Sequence, residues 1–163
     1  MKNSKGLAVT AALLWCASSV AHASPVVFVV RHAEKASATD KDPDLSAAGH
    51  KRADELARVV KDAELRAIFA TEFKRTQQTA ASTANATHLS PIIVPASDTS
   101  ALVTKLQALN GNALVIAHSN TIPELLKTLG VETPINMADD DYAELLMIIM
   151  TDHPQLVRLH YSS

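Results

Sequence analysis

Val26-Val27-Phe28-Val29-Val30-Arg31-His32-Ala33-Glu34-Lys35 is the stretch that decides the fold class. Five apolar, mostly β-branched residues run without a polar interruption, which is the pattern of a strand buried on both faces at the centre of a parallel sheet. The run then stops at once on four side chains that carry charge or hydrogen-bonding chemistry. In an open parallel sheet ligands bind beyond the carboxyl ends of the strands. Arg31, His32 and Glu34 are therefore in the right place to be functional.

Working outward, the segment from Ala36 to Pro43 reads as a polar turn, and Leu45-Ser46-Ala47-Ala48-Gly49 opens a helix from about Ser46 to Val60, with Ala53, Leu56, Ala57 and Val60 on its apolar face. Ala67 to Ala70 reads as a short strand. Thr71 is the expected N-cap of a helix from Glu72 to Ala84. Pro91 to Pro95 suits an edge strand because prolines bracket it. Asp98-Thr99 is expected to cap a helix through Leu109, which Asn110-Gly111 would end by left-handed turn chemistry. Ala113 to Ala117 is the second strongly apolar strand, and it precedes a helix with Pro123 in its first turn and Gly130 as its stop. Tyr142 to Met150 and Leu156 to Tyr161 read as a closing pair of strands around a His153-Pro154 turn. Strands alternating with helices in this way predict an α/β three-layer sandwich with a mainly parallel central sheet.

Residues 1–23 stand apart from this pattern. Lys2 and Lys5 precede an apolar run from Leu7 to Val20 that closes on Ala21-His22-Ala23, the arrangement of a cleaved secretory signal. The run is shorter than the roughly 20 residues that cross a bilayer, so a stable membrane anchor is not expected. Trp15 stands where a lipoprotein signal wants a small residue, which argues against lipidation of Cys16. Residues 24–163 are then one domain outside the cytoplasm, periplasmic or secreted. Cys16 is the one cysteine of the 163 residues, so the expected mature chain has no disulfide and no thiol nucleophile. Without Lys2 and Lys5, 13 basic residues face 17 acidic ones. That balance is not one for nucleic acid or an anionic membrane, and any anion must be met by a local basic pocket.

Three strand ends supply such a pocket. Arg31 and His32 follow the first strand, Thr71 and then Arg75 the second, and His118-Ser119-Asn120-Thr121 the strand ending at Ala117. Two guanidinium forks match the oxygens of a tetrahedral phosphoryl group, and an imidazole is a competent nucleophile near neutral pH when one ring nitrogen is held as a donor. The same residues can be written as a two-histidine, one-carboxylate metal site of His32, His118 and Glu34. The adjacent Arg31 and Arg75 oppose a cation there. No cofactor is implied.

Val29-Val30-Arg31-His32-Ala33-Glu34-Lys35, Phe73-Lys74-Arg75-Thr76-Gln77-Gln78-Thr79-Ala80 and Ile116-Ala117-His118-Ser119-Asn120-Thr121 resemble, in order, the three signature segments of the histidine phosphatase, or phosphoglycerate-mutase-like, superfamily. Leu45-Ser46-Ala47-Ala48-Gly49 is similar to the start of that family's first helix. The resemblance implies a phosphoglycerate-mutase-like fold and a hydrolase of phosphomonoesters of the histidine acid phosphatase type. It makes His32 the nucleophile that is phosphorylated, and Arg31, Arg75 and His118 the groups that bind and neutralise the phosphoryl group. Ser119 and Asn120 are candidate substrate contacts. Two positions depart from the family: Ala33 stands where glycine is common, and Ser119 stands where one branch has an acidic residue after the second histidine. The proton donor then falls to Asp98, with Glu34 as the alternative. The expected partner is a small phosphorylated molecule such as a cell-envelope sugar phosphate. A phosphohistidine protein phosphatase and a non-catalytic phosphate-binding protein are the alternatives.

Overall fold

The computed structural model describes residues 24–138 and 140–162, so the expected signal segment lies outside the described residues. The first strand, β1 (Val26–Arg31), is buried along nearly its whole length, as its unbroken apolar run requires. It lies between β4 (Asn112–Ala117) and β5 (Glu144–Ile149), parallel to the former and antiparallel to the latter. With β2 (Leu65–Ala70), the two-residue β3 (Ile92–Ile93) and β6 (Gln155–His160), the sheet order is β3-β2-β4-β1-β5-β6. The four strands from β3 to β1 are parallel, and β5 and β6 form the antiparallel hairpin read from the sequence. The β3 residues are exposed at the edge.

Helices α1 (Ala47–Val59) and α2 (Lys74–Thr87) pack together. Phe28, Val30, Ile68, Leu114 and Ile116 face Leu56, Val60 and Ala80 in that half of the core. The alternate residues Val27, Val29, Phe69, Ala113 and Val115 point the other way, onto Val103 and Leu106 of α3 (Thr99–Ala108) and Ile122, Leu125 and Leu126 of α4 (Ile122–Thr128). The period-two alternation of the strands thus feeds two apolar layers, one on each side of the sheet.

Two expected helix ends are corrected. Thr71 does not cap α2, which begins three residues later behind Phe73, a position with no side-chain cap. The Thr71 hydroxyl is bonded to other side chains instead. At the end of α3 the backbone turns extended at Leu109, and the positive φ of 144° falls on Gly111. Glycine is required there on a second count, because an added Cβ would stand 2.5 Å from Cγ of Arg66. Asp98 does cap as read, accepting from the backbone N–H of Ala101, and Ser46 caps α1 by accepting from that of Gly49.

Gly49 explains why α1 belongs to the site. A Cβ at Gly49 would lie 2.3 Å from the carbonyl oxygen of Glu34. Its absence lets the first turn of α1 press against the loop after β1, and Ser46 N–H donates to that same carbonyl at 2.9 Å.

Candidate active site

The ends of β1 and β4 are adjacent by register, Arg31 opposite Ala117. His32 N–H continues the ladder by donating to the carbonyl of Ala117 at 3.0 Å, so the residues after both strands start from one rigid point. His32 and His118 are both buried, with ring centroids 5.4 Å apart in an edge-on arrangement. Ala33 N–H donates to Thr79 Oγ1 at 3.0 Å, while the Thr79 hydroxyl donates to the carbonyl of Arg75 at 2.7 Å. One threonine therefore ties the loop after β1 to the first turns of α2.

His32 Nδ1 lies 2.8 Å from the carbonyl oxygen of Ala33. A carbonyl only accepts, so Nδ1 carries the proton and Nε2 is left with its lone pair. Burial lowers the His32 pKa from 6.5 to about 4, with His118, Arg31 and Arg75 adding to the effect against the hydrogen bond to Ala33. His118 is likewise lowered to about 4, first by burial and then by Arg75 and Arg31. Both rings are neutral at neutral pH, as a nucleophile must be.

Arg31 lies with its guanidinium carbon 4.3 Å from the centre of the Tyr142 ring and donates from Nη1 to the carbonyl of Ala138 at 3.3 Å. The Arg75 guanidinium stacks at the same distance on Phe73 and comes within 3.6 Å of Asp42 Oδ1. Burial pulls the Arg75 pKa below its usual value, opposed by Asp42 and Glu72. The Phe73 ring also meets His118 edge-on at 5.3 Å. Beside His118 and Arg75 opens a cleft of about 510 Å³, with Glu72, Phe73, Ser97, Asn120 and Glu124 in its walls. Ser119, half-buried, occupies the turn after His118.

Of the residues named from the sequence, Arg31, His32, Arg75 and His118 come together, and Asn120 joins them at the cleft. The two candidate proton donors are otherwise engaged. Asp98 Oδ1 accepts from Ala101 N–H at 2.9 Å at the start of α3. Both oxygens of Glu34 accept from Arg52 at 2.7 to 2.9 Å, and that pairing holds the carboxyl below its usual range against the effect of burial. Glu34 is thus turned towards α1, and the metal triad with His32 and His118 is not assembled. Sequence reasoning did not single out Tyr142, Asp42 or Thr76. The sequence pattern puts the first in a strand and the second in a turn, and nothing local marks an aromatic or carboxylate that meets an arginine from a distant loop.

A family model described as the histidine phosphatase superfamily (branch 1) matches residues 27–97. Over those residues the chain is similar to that superfamily. Solved structures similar to this chain include the protein histidine phosphatase SixA complexed with tungstate, at 22% identity over 83% of this chain and 96% of that one, with a TM-score of 0.69. The mycobacterial glucosyl-3-phosphoglycerate phosphatase Rv2419c is similar at 12% identity over 86% of this chain and 99% of that one, with a TM-score of 0.66. No curated protein matches. At these identities the likeness is one of fold.

Proposed function

We propose that the protein is a phosphatase that hydrolyses small phosphorylated substrates through a phosphohistidine on His32. The observation that carries this reading is the hydrogen bond from His32 Nδ1–H to the Ala33 carbonyl, which leaves a neutral Nε2 lone pair on a ring that feels the charge of Arg31 and Arg75. Nε2 attacks phosphorus and the bond to the leaving group breaks. Water then attacks the phosphohistidine, the P–N bond breaks, and inorganic phosphate leaves with the imidazole restored. Arg31, Arg75 and His118 surround the transferring oxygens, and phosphoryl transfer needs mostly such positioning and charge. Ser119 and Asn120 are the residues proposed to contact the rest of the substrate. The amino-terminal pattern supports export, and a cell-envelope sugar phosphate suits both that location and the polar cleft. The similar mycobacterial phosphatase acts, by its name, on a glucosyl phosphoglycerate.

A second reading is favoured by one specific observation, the engagement of Asp98 and Glu34 elsewhere. A phosphoryl group on a protein histidine leaves a neutral imidazole when the other ring nitrogen carries a proton, so its transfer makes a smaller demand on an acid. The similar SixA is named a protein histidine phosphatase. Rapid quench with labelled sugar phosphate and labelled phosphohistidine peptide tests both readings. A phosphoenzyme stable in alkali and lost in acid is expected, with the faster substrate naming the class. Full turnover by His32→Ala would remove the mechanism, and phosphate binding without turnover of any substrate would make the protein a binder.

A further inference from the structure

The two histidines are held by different kinds of partner, and the partner of His118 constrains its chemistry. His118 Nε2 lies 3.0 Å from Thr71 Oγ1, which lies 2.9 Å from Thr76 Oγ1. Thr76 Oγ1 in turn lies 2.8 Å from the carbonyl oxygen of Phe73 and 3.1 Å from that of Thr71. Neither carbonyl can donate, so both contacts are favourable only if the Thr76 proton points at them. A proton turned towards Thr71 instead would leave buried lone pairs opposed at short range. Thr76 therefore accepts from Thr71, the single Thr71 proton is spent, and Thr71 Oγ1 has only a lone pair to offer the ring. The hydrogen-bonded nitrogen of His118 must be the N–H.

Resting on the phosphatase reading of the site, we propose that Thr76 and Thr71 are positioning residues that lock His118 in its Nε2–H tautomer, so that Nδ1 meets the phosphoryl group as a hydrogen-bond acceptor. A lone pair repels the bare oxygens of a phosphate dianion and accepts from a protonated oxygen. The bound state therefore holds one proton between His118 and the ligand. That proton either stays on the phosphoryl oxygen or moves to Nδ1, where the resulting imidazolium adds to the charge of Arg31 and Arg75. The titratable and charged groups around the ring are His32 and Arg31 at the end of β1, Arg75 and Glu72 at the start of α2, and Glu124 in α4. The neutral state of the free ring follows from burial and from those two arginines. Thr71 and Thr76 are themselves buried, so water does not compete for these bonds.

Two measurements on the protein test the lock without requiring turnover, which keeps its failure distinct from failure of the phosphatase reading. Long-range nitrogen–proton NMR at neutral pH is expected to show His118 protonated on Nε2 in the wild type and in Thr76→Ser. In Thr76→Val the Thr71 proton is released to turn towards the ring, and the Nδ1–H form is expected to dominate. Binding of a non-hydrolysable alkylphosphonate, whose dianion keeps no P–OH, should weaken about tenfold per pH unit above its second ionisation in the wild type, one proton being taken up per ligand. That dependence should be lost in Thr76→Val, whose Nδ1–H can donate to the dianion, and be restored in Thr76→Ser. An Nδ1–H ring in the wild type overturns the proposal even if the valine variant does not fold. So does an alkylphosphonate affinity with the same pH dependence in the wild type and in a folded Thr76→Val.

Discussion

The ends of β1 and β4 carry the same residue type at the same depth, yet they are built by different means. His32 is held by the carbonyl of the next residue, a bond decided within a dipeptide. His118 is held by Thr71, 47 positions away, and through it by Thr76. The first arrangement frees Nε2 to act as a nucleophile, and the second spends Nε2 on the scaffold. Identical side chains at equivalent strand ends are thereby given different tasks by which nitrogen is occupied.

The largest expected effect sharpens that division. His32→Ala should abolish both phosphoenzyme and turnover, whereas His118→Ala and Arg75→Ala should each retain the nucleophile and lower kcat by about 10²-fold, or roughly 2.7 kcal/mol of transition-state stabilisation. Steady-state kinetics decides it. A loss confined to KM would mean that these two groups bind ground and transition states alike, and the contrast between the strand ends would shrink to one of binding.

A smaller effect follows from what the two rings share. Each titrates at about 4 in the folded protein and near 6.5 when exposed. Between those values the unfolded chain binds protons that the folded one does not, so stability rises with pH across that window and falls on acidification. Urea unfolding from pH 4 to pH 7 should show this slope, and His32→Ala or His118→Ala should each reduce it. Equal slopes in the wild type and both variants would mean that these rings are not the groups responsible.

The smallest effect concerns Asp98, beyond the end of β3, which the family resemblance drew into the site. Asp98→Ala should lose about 1 kcal/mol as an N-cap is removed, while Asp98→Asn, which also caps, should keep its stability. With Oδ1 engaged at Ala101, Asp98→Asn should leave the ratio of alkyl phosphate to p-nitrophenyl phosphate turnover unchanged. A selective fall with the alkyl substrate, whose leaving group needs protonation, would instead make Asp98 the proton donor.

Much of this site was legible because its residues sit beside strong local signals. Apolar runs at Val26–Val30 and Ala113–Ala117 define two strands, and whatever follows a parallel strand must emerge at the same rim. Arg31, His32, Arg75 and His118 could be named on that basis, and Asp98 could be read as a cap because capping is a bond between near neighbours in the chain. The caps, the alternation and the hairpin are all decided over a few residues, and so the sequence by itself determined the layered α/β architecture and the convergence of the two histidines.

What it could not determine is how the side chains pair across the fold. Thr71 has the composition of an N-cap, but His118 and Thr76 claim its hydroxyl. Glu34 could have served as acid or ligand, but Arg52 of α1 holds both its oxygens. Tyr142 and Asp42 come from distant loops to meet Arg31 and Arg75. Each of these is a competition for one hydrogen or one carboxylate among groups far apart in sequence. Only the tertiary structure decides it, because burial removes water as the alternative partner and leaves whichever neighbour the packing supplies.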